Sequence, residues 1–351
     1  MVGDCVRPLR SSLDRSPRVD GEQSSYADAR EDKARPGLPA MKVVFAGSPP
    51  FAVPTLEALA AAGYELCAVI TQPDRPVGRE QRMQAPAVKA AALRLGIPVH
   101  QPEKIKSAEG RALLESLRPE AVVVVGYGQI LPPWLLELPR YGCINLHASL
   151  LPAYRGAAPI QWAVANGETK TGVTTMQMDA DMDTGPILLQ WETKFGREET
   201  AVELAERLSV AGPKLMLETI EGLKAGTLIP RPQDNTLASR APLLKKEDGL
   251  IDWNLTATQV FNRIRGFGPW PGAYTGFRGK KLQIWRAKPH GSFDSGASPG
   301  QVLIGKDALR VVCGGATTLQ LLEVQLEGRR RMSAAEFLRG AQAQPGESLR
   351  L

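Results

Sequence analysis

The chain has 351 residues, 43% hydrophobic and 23% charged, which allows about two domains and excludes a fibrous or wholly disordered protein. Its apolar runs fall short of the roughly 18–20 residues that span a bilayer, so no membrane partner is expected. Four scattered cysteines, Cys5, Cys67, Cys143 and Cys313, form no CxxC pair and fit a reducing cytoplasm. The net charge of +6 is uneven: residues 1–40 hold 7 basic and 7 acidic side chains, residues 41–240 hold 20 and 21, and residues 241–351 hold 16 and 9. The surplus in the last third points to a polyanionic partner.

Residues 1–40 are polar and rich in Ser, Arg, Asp and Pro, and read as a disordered extension. They lack the apolar segment of a secretory signal, and their seven acidic residues argue against a transit peptide. From Met41 strands and helices alternate. Residues 42–46 read as a strand, 54–62 as a helix stopped by Gly63, and 66–71 as a second strand. Residues 72–84 read as an irregular polar loop. Residues 86–95 and 107–117 read as helices, the latter with Leu113, Leu114 and Leu117 on one side. Residues 121–125 are continuously apolar, as in a strand covered on both faces of a parallel sheet, and 143–146 read alike. A helix over 159–165 is closed by Gly167, and 172–178 and 187–193 read as antiparallel strands. Helices over 200–208 and 214–223 are expected to break at Gly212–Pro213.

This rhythm predicts an α/β domain over residues 41–225: a Rossmann-like, doubly wound, mostly parallel sheet with helices on both faces. Residues 226–249 lack periodicity and read as a linker. Over 250–340 a helix at 256–265 and short strands at 282–287, 301–304, 309–312 and 319–324 predict a small β-barrel domain, followed by a tail at 341–351. Heptads and large apolar stripes are missing, so a monomer is expected.

The turn after the first strand reads GSPPFAVP and lacks the GxGxxG spacing of a dinucleotide site. There is no phosphate loop of Walker type, no HExxH and no Cys/His cluster, so NAD, ATP and metal are unsupported. Ligands of open α/β sheets bind at the carboxyl ends of strands, where CINLH places Asn145 and His147. Asp183 follows in DMDTGP, on a loop able to fold back over that edge. An amide and an imidazolium can donate to the oxyanion formed when an amine attacks an acyl carbon, and a carboxylate can take the proton or orient the ring. Taken singly, Asn145 and Asp183 could serve ordinary turns and His147 a structural hydrogen bond. The residues alone thus define a possible acyl-transfer site.

The segment CINLHASLLPAYRGAAPIQWAVANGETKTGVTTMQMDADMDTGPIL resembles the catalytic domain of formyltransferases that use 10-formyltetrahydrofolate. VFAGSPPFAVPTLEAL, VITQPDRPVGR, VVVGYGQILP and IDWNLTATQVFNRIRGFGPWPGAYTGF narrow the resemblance to the methionyl-tRNA formyltransferase family, over about residues 41–340. The resemblance implies formyl transfer from 10-formyltetrahydrofolate, as co-substrate, to initiator methionyl-tRNA. It implies Asn145, His147 and Asp183 as catalytic residues. Ser149, Leu150, Leu151, Pro152, Arg155 and Gly156 fall on the loop bordering the folate site. Residues 72–87 fall on an insert near the tRNA acceptor end, with Arg79 and Arg82 as its cations. Here the chain reads GREQRMQAPAV where the family usually has GRGKKL, so Glu80 and Gln81 alter the loop's contacts.

The last domain resembles an oligonucleotide-binding barrel. Its basic clusters at Lys245–Lys246, at 278–281 with Lys280 and Lys281, and at Arg329, Arg330 and Arg331 suit phosphate contacts along a tRNA. Two alternatives from the same superfamily are an amino-sugar formyltransferase, which shares the catalytic set, and a hydrolase that releases formate from the same folate with no acceptor. The QPDRP insert and the basic last third separate this chain from the former.

Overall fold

The structure is a computed structural model that describes residues 41–78, 81–292, 296–305 and 308–350. In chain order the first domain runs β1 (Lys42–Gly47), α1 (Val53–Ala61), β2 (Glu65–Ile70), β3 (Arg75–Val77), β4 (Arg82–Gln84), α2 (Ala87–Arg94) and β5 (Val99–His100). It continues with α3 (Ala108–Leu117), β6 (Ala121–Val125), α4 (Pro133–Glu137), β7 (Cys143–His147), α5 (Pro159–Ala165), β8 (Lys170–Gln177), β9 (Ile187–Lys194) and α6 (Ala201–Lys224). The sheet order is β5-β2-β1-β6-β7-β8-β9. The first five strands are parallel, and β8 turns back antiparallel between β7 and β9.

The apolar strands are covered on both faces, and their side chains alternate between two cores. Val43 and Phe45 of β1, Val123 of β6 and Ile144 of β7 join α1, α2, α5 and α6 on one side. Val44, Val122, Val124 and Cys143 join α3 and α4 on the other. This two-sided burial is why β6 reads AVVVV, with every residue buried.

Two local expectations differ from the structure. Helix α6 runs unbroken through Pro213. The missing amide hydrogen bond costs about 3 kcal/mol in an isolated helix. Here Leu204, Leu208, Leu215, Met216 and Ile220 all bury against the sheet, and Gly212 lets the helix approach Leu146. The supposed polar loop 72–84 holds a hairpin, β3 paired with β4. Its root is fixed at Asp74, which accepts from Lys89 Nζ (2.8 Å) and Gln101 Nε2 (2.7 Å). Those hydrogen bonds, Gln101 first, hold the Asp74 carboxyl below its usual range.

The second domain comprises α7 (Ala257–Phe267), β10 (Ala273–Phe277), β11 (Lys280–Ser292), β12 (Val302–Ile304), β13 (Leu309–Cys313), β14 (Thr317–Leu326), β15 (Met332–Ser333) and α8 (Ala334–Ala341). Its antiparallel sheet runs β10-β11-β14-β13-β12, with β15 on β14. The residues expected to form a tail bridge the two ends of this path. Val302 N–H donates to Glu347 O (2.7 Å), Leu349 N–H to Gly300 O (2.8 Å), and Thr275 Oγ1 to Leu349 O (2.9 Å). Leu349 is fully buried, so the sheet closes on the C-terminal segment.

The domains meet through α5 and α7. Gly266 allows the helices to touch: a Cβ there would lie 2.7 Å from the Ala165 nitrogen. Trp162 packs edge-on against Phe267, with ring centroids 5.2 Å apart. Arg265 Nη1 donates to Glu199 O at 2.7 Å. Because Leu349 fills the seam of the second domain, Leu349→Ala should cost about 2–4 kcal/mol, read as a lowered denaturation midpoint with the slope unchanged.

Candidate active site

Strand β7 aims two polar side chains at one place. Asn145 and His147 are two residues apart and therefore share a face with Cys143, which closes the core beneath them. Both are largely buried, at 8% and 6% exposure. The loop that follows is pinned to the sheet. Ser149 Oγ donates to Ala153 O (2.6 Å), and Thr174 Oγ1 donates to Ser149 O (2.7 Å). Leu151 N–H donates to Thr174 Oγ1 (3.2 Å), while Gln190 Nε2 donates to Leu151 O (2.9 Å). The Leu151 side chain packs with Met176 and Ile187. Ser149 and Leu151 thus face inward and brace the loop, whereas Leu150, Pro152 and Gly156 are half-buried.

Asp183 comes from the connection between β8 and β9, with φ +56° in the left-handed region. Its Oδ2 accepts the Gly156 N–H at 2.8 Å. Its Oδ1 lies 3.4 Å from Asn145 Nδ2 and 3.7 Å from His147 Nδ1. The three side chains converge. His147 Nε2 lies 2.9 Å from Tyr154 O. A carbonyl only accepts, so Nε2 carries a hydrogen and Nδ1 is the ring nitrogen that faces Asp183. At 3.7 Å the two are beyond direct hydrogen-bonding distance. Tyr154 is held at its far end, where its hydroxyl donates to Glu168 (2.6 Å); burial and then this contact push the phenol up to about 12.

The supposed linker is part of this site. Arg231 and Ile187 exchange backbone hydrogen bonds at 2.8 Å, and Arg155 pairs with Ser239 and Ala241. Between these anchors Gln233 Nε2 donates to the carbonyls of Asp183 (2.9 Å) and Gly185 (2.7 Å). Gln233 Oε1 accepts from Arg155 Nε (3.0 Å) and Nη2 (2.8 Å), and Asn235 Oδ1 accepts from Arg155 Nη2 (2.8 Å). The Arg155 guanidinium is therefore engaged by the strap. Two glycines admit these approaches. A Cβ on Gly156, at φ +127°, would lie 2.4 Å from Ala241 O, and one on Gly185 would lie 1.8 Å from Gln177 O. Gln233 escaped sequence reasoning because it stands in an aperiodic Pro-rich stretch; its only signal was a side chain with both donor and acceptor.

Of the other expected site residues, Arg79 lies outside the described residues. Arg82 is exposed on β4. Lys281 Nζ sits 4.1 Å from the Tyr274 ring centroid; burial, then the Lys246 charge, lower its pKa. Arg330 pairs with Glu336 (3.4 Å). Arg331 Nε donates to Glu323 (2.6 Å), and its guanidinium lies 4.9 Å from the Trp285 ring. Lys280 and Arg329 form no ion pair among the described residues. Among those residues, no group of three or more His, Cys, Asp or Glu side chains is arranged to hold a metal.

A doubly wound sheet with an amide, an imidazole and a carboxylate at one strand end, joined to an antiparallel barrel, has the parts of an acyl-transfer enzyme. Family profiles described as formyl transferase and formyl transferase C-terminal domain match residues 41–220 and 243–342. The chain is 52% identical to the methionyl-tRNA formyltransferase of Solibacter usitatus, covering 88% of this chain and 98% of that one. It is 53% identical to that of Acidobacterium capsulatum, covering 86% and 96%. Among solved structures, an N-formyltransferase of Helicobacter canadensis in complex with folinic acid and dTDP-3-aminofucose is similar in fold (TM-score 0.61, 18% identity, 80% of this chain and 98% of that one). The chain belongs to the methionyl-tRNA formyltransferase family.

Because the Gly185 neighbour is backbone, Gly185→Ala must move the turn that carries Asp183. A displacement of about 1 Å costs on the order of 10²-fold in rate, so kcat should fall by about that factor, with a lower melting temperature, in steady-state formylation assays.

Proposed function

We propose that the chain moves a formyl group from 10-formyltetrahydrofolate to the free α-amine of methionine on initiator tRNA, acting as a monomer in the cytoplasm. The observation that carries this reading is the convergence of Asn145, His147 and Asp183 around one gap. The names of the 47–53% identical relatives support methionyl-tRNA as the formyl acceptor. Solved sugar N-formyltransferases that are similar in fold share 16–20% identity with this chain. No helix among the described residues is long and apolar enough to cross a membrane.

The residues suit such a donor. A formyl carbonyl in the gap meets the Asn145 amide as a donor for its developing negative charge, a contact worth about 3 kcal/mol in comparable sites. The attacking amine must be neutral, and an α-amine titrates at about 7.7–8.0. Its proton passes to His147 Nδ1, the ring nitrogen that Tyr154 leaves open. The imidazolium so formed lies beside the Asp183 carboxylate, which stabilises it without taking the proton. The imidazolium then donates toward the oxyanion and returns a proton to the departing folate nitrogen as the carbon–nitrogen bond breaks. In this reading Leu150, Pro152 and Gly156 border the folate, with Ser149, Leu151 and Arg155 shaping that border from behind. Arg79 and Arg82 meet the acceptor end of the tRNA, and Lys280, Lys281 and Arg329–Arg331 meet its backbone phosphates.

His147→Ala and Asp183→Asn should each lower single-turnover formylation by about 10²–10³-fold while tRNA affinity stays unchanged; near-normal rates in either would end the assignment. Affinity for tRNA should fall as salt rises. Arg329→Glu should reduce the slope of log affinity against log salt by about 1; an unchanged slope would remove this cluster from the tRNA surface.

A further inference from the structure

We infer that Gln233, on the segment between the domains, is a positioning residue that holds the catalytic turn and thereby makes the strap part of the active site. The inference rests on the reading of Asp183 given above and extends it to a residue that touches no reacting atom.

The reasoning begins with the backbone. Asp183 is a non-glycine residue at φ +56°, a conformation that an isolated aspartate leaves readily. Its Oδ2 has the Gly156 N–H, but Oδ1 has only long contacts, with Asn145 at 3.4 Å and with His147 Nδ1 at 3.7 Å. The carboxylate is thus anchored by one strong hydrogen bond, and the turn beneath it needs a second support. Gln233 supplies that support at the carbonyls of Asp183 and Gly185, on either side of Thr184. Thr184 is tied separately, its hydroxyl donating to Asp179 (2.8 Å).

The same side chain accepts from Arg155 through its oxygen. Arg155 adjoins Gly156, whose N–H holds Asp183, and Tyr154, whose carbonyl holds His147. One amide therefore locks the two segments that meet at the site: the 148–158 loop through Arg155, and the 179–186 turn through two carbonyls. Only a Gln or Asn amide offers two N–H donors and a carbonyl acceptor to such a pair, and Gln has the longer reach. The strap is not free to drift, since Arg231 is paired to Ile187 and residues 239–241 to Arg155.

The test compares Gln233→Ala, Gln233→Glu, Arg155→Ala, the double Arg155→Ala/Gln233→Ala and Asp183→Asn in the full chain. Single-turnover formylation, tRNA and donor KM, and melting temperature are measured for each. Gln233→Glu keeps the length and the Arg155 contact, so it folds even if the alanine variant does not, yet it sets a carboxylate against two carbonyls. Both Gln233 variants should lower the rate by about 10- to 100-fold, as a misplaced catalytic group does, with KM for tRNA unchanged. Arg155→Ala and Gln233→Ala should combine to less than the product of their separate effects, because they break one network.

Near-wild-type rates for both Gln233 variants, beside an impaired Asp183→Asn, would overturn the inference and leave the catalytic reading intact. A near-wild-type Gln233→Glu beside a slow Gln233→Ala would also overturn it, since Arg155 rather than the turn would then matter. So would fully multiplicative effects with a raised donor KM in Arg155→Ala, which would place that guanidinium on the folate. An active Asp183→Asn would instead defeat the underlying reading.

Discussion

The Asp183 carboxylate faces the His147 ring across 3.7 Å, and much of the local structure bears on that spacing. If Asp183 approached His147 Nδ1 to hydrogen-bonding distance, the pair would close on itself. At 3.7 Å it does not. The spacing is kept by tying each partner away from the other: Asp183 Oδ2 to the Gly156 N–H, His147 Nε2 to the Tyr154 carbonyl. Both ties come from residues 154–156, so one short loop sets the distance between carboxylate and ring. That loop is in turn fixed by Thr174 and Gln190 on its sheet side and by Ser239 and Ala241 on its outer side.

This arrangement ties the boundary between domains to the candidate site. The polypeptide leaves α6, crosses the catalytic loop between residues 231 and 241, and enters the second domain near Leu244, which packs with Ala158, Ala165 and Phe267. Trp162, on α5, sits edge-on to Phe267 and donates from Nε1 to Pro242 O at 2.9 Å. The helix that follows the catalytic loop, the strap over that loop and the first helix of the second domain therefore share one set of contacts. A barrel docked through such contacts is held in a fixed relation to the site, as it must be if it grips a substrate whose reacting end lies elsewhere.

Much of this was legible in the sequence where a single physical rule dominates. Two-sided burial makes β6 and β7 continuous apolar runs, and the period of two puts Asn145 and His147 on one face. What was illegible depends on distant partners. Pro213 reads as a break by local propensity, and only the sheet beneath α6 overrides it. The hairpin at 75–84 consists of two three-residue strands, too short for alternation to register, and depends on Asp74 meeting Lys89 and Gln101. The 226–249 segment lacks periodicity because its backbone pairs only at isolated points, Arg231 with Ile187 at the start of β9 and residues 239–241 with Arg155. Residues 346–349 look like a tail because strand pairing on β12 leaves no pattern in four residues.

The basic face of the second domain shows the same limit from the side of electrostatics. Three consecutive arginines count as three charges in sequence, but Glu323 accepts both Arg286 and Arg331, and Glu336 accepts Arg330. Exposed pairs of this kind are worth only about 0–1 kcal/mol each. A phosphate, by contrast, offers a bidentate acceptor and releases condensed counterions when neutralised. A polyanion therefore competes well against these carboxylates. Arg331 is already held by Glu323 and lies against Trp285, so in the proposed reading less rotamer freedom is lost when a phosphate replaces the carboxylate. In the tRNA-binding reading proposed above, these arginines are where a phosphate replaces a carboxylate, and the net positive balance of residues 241–351 favours that exchange.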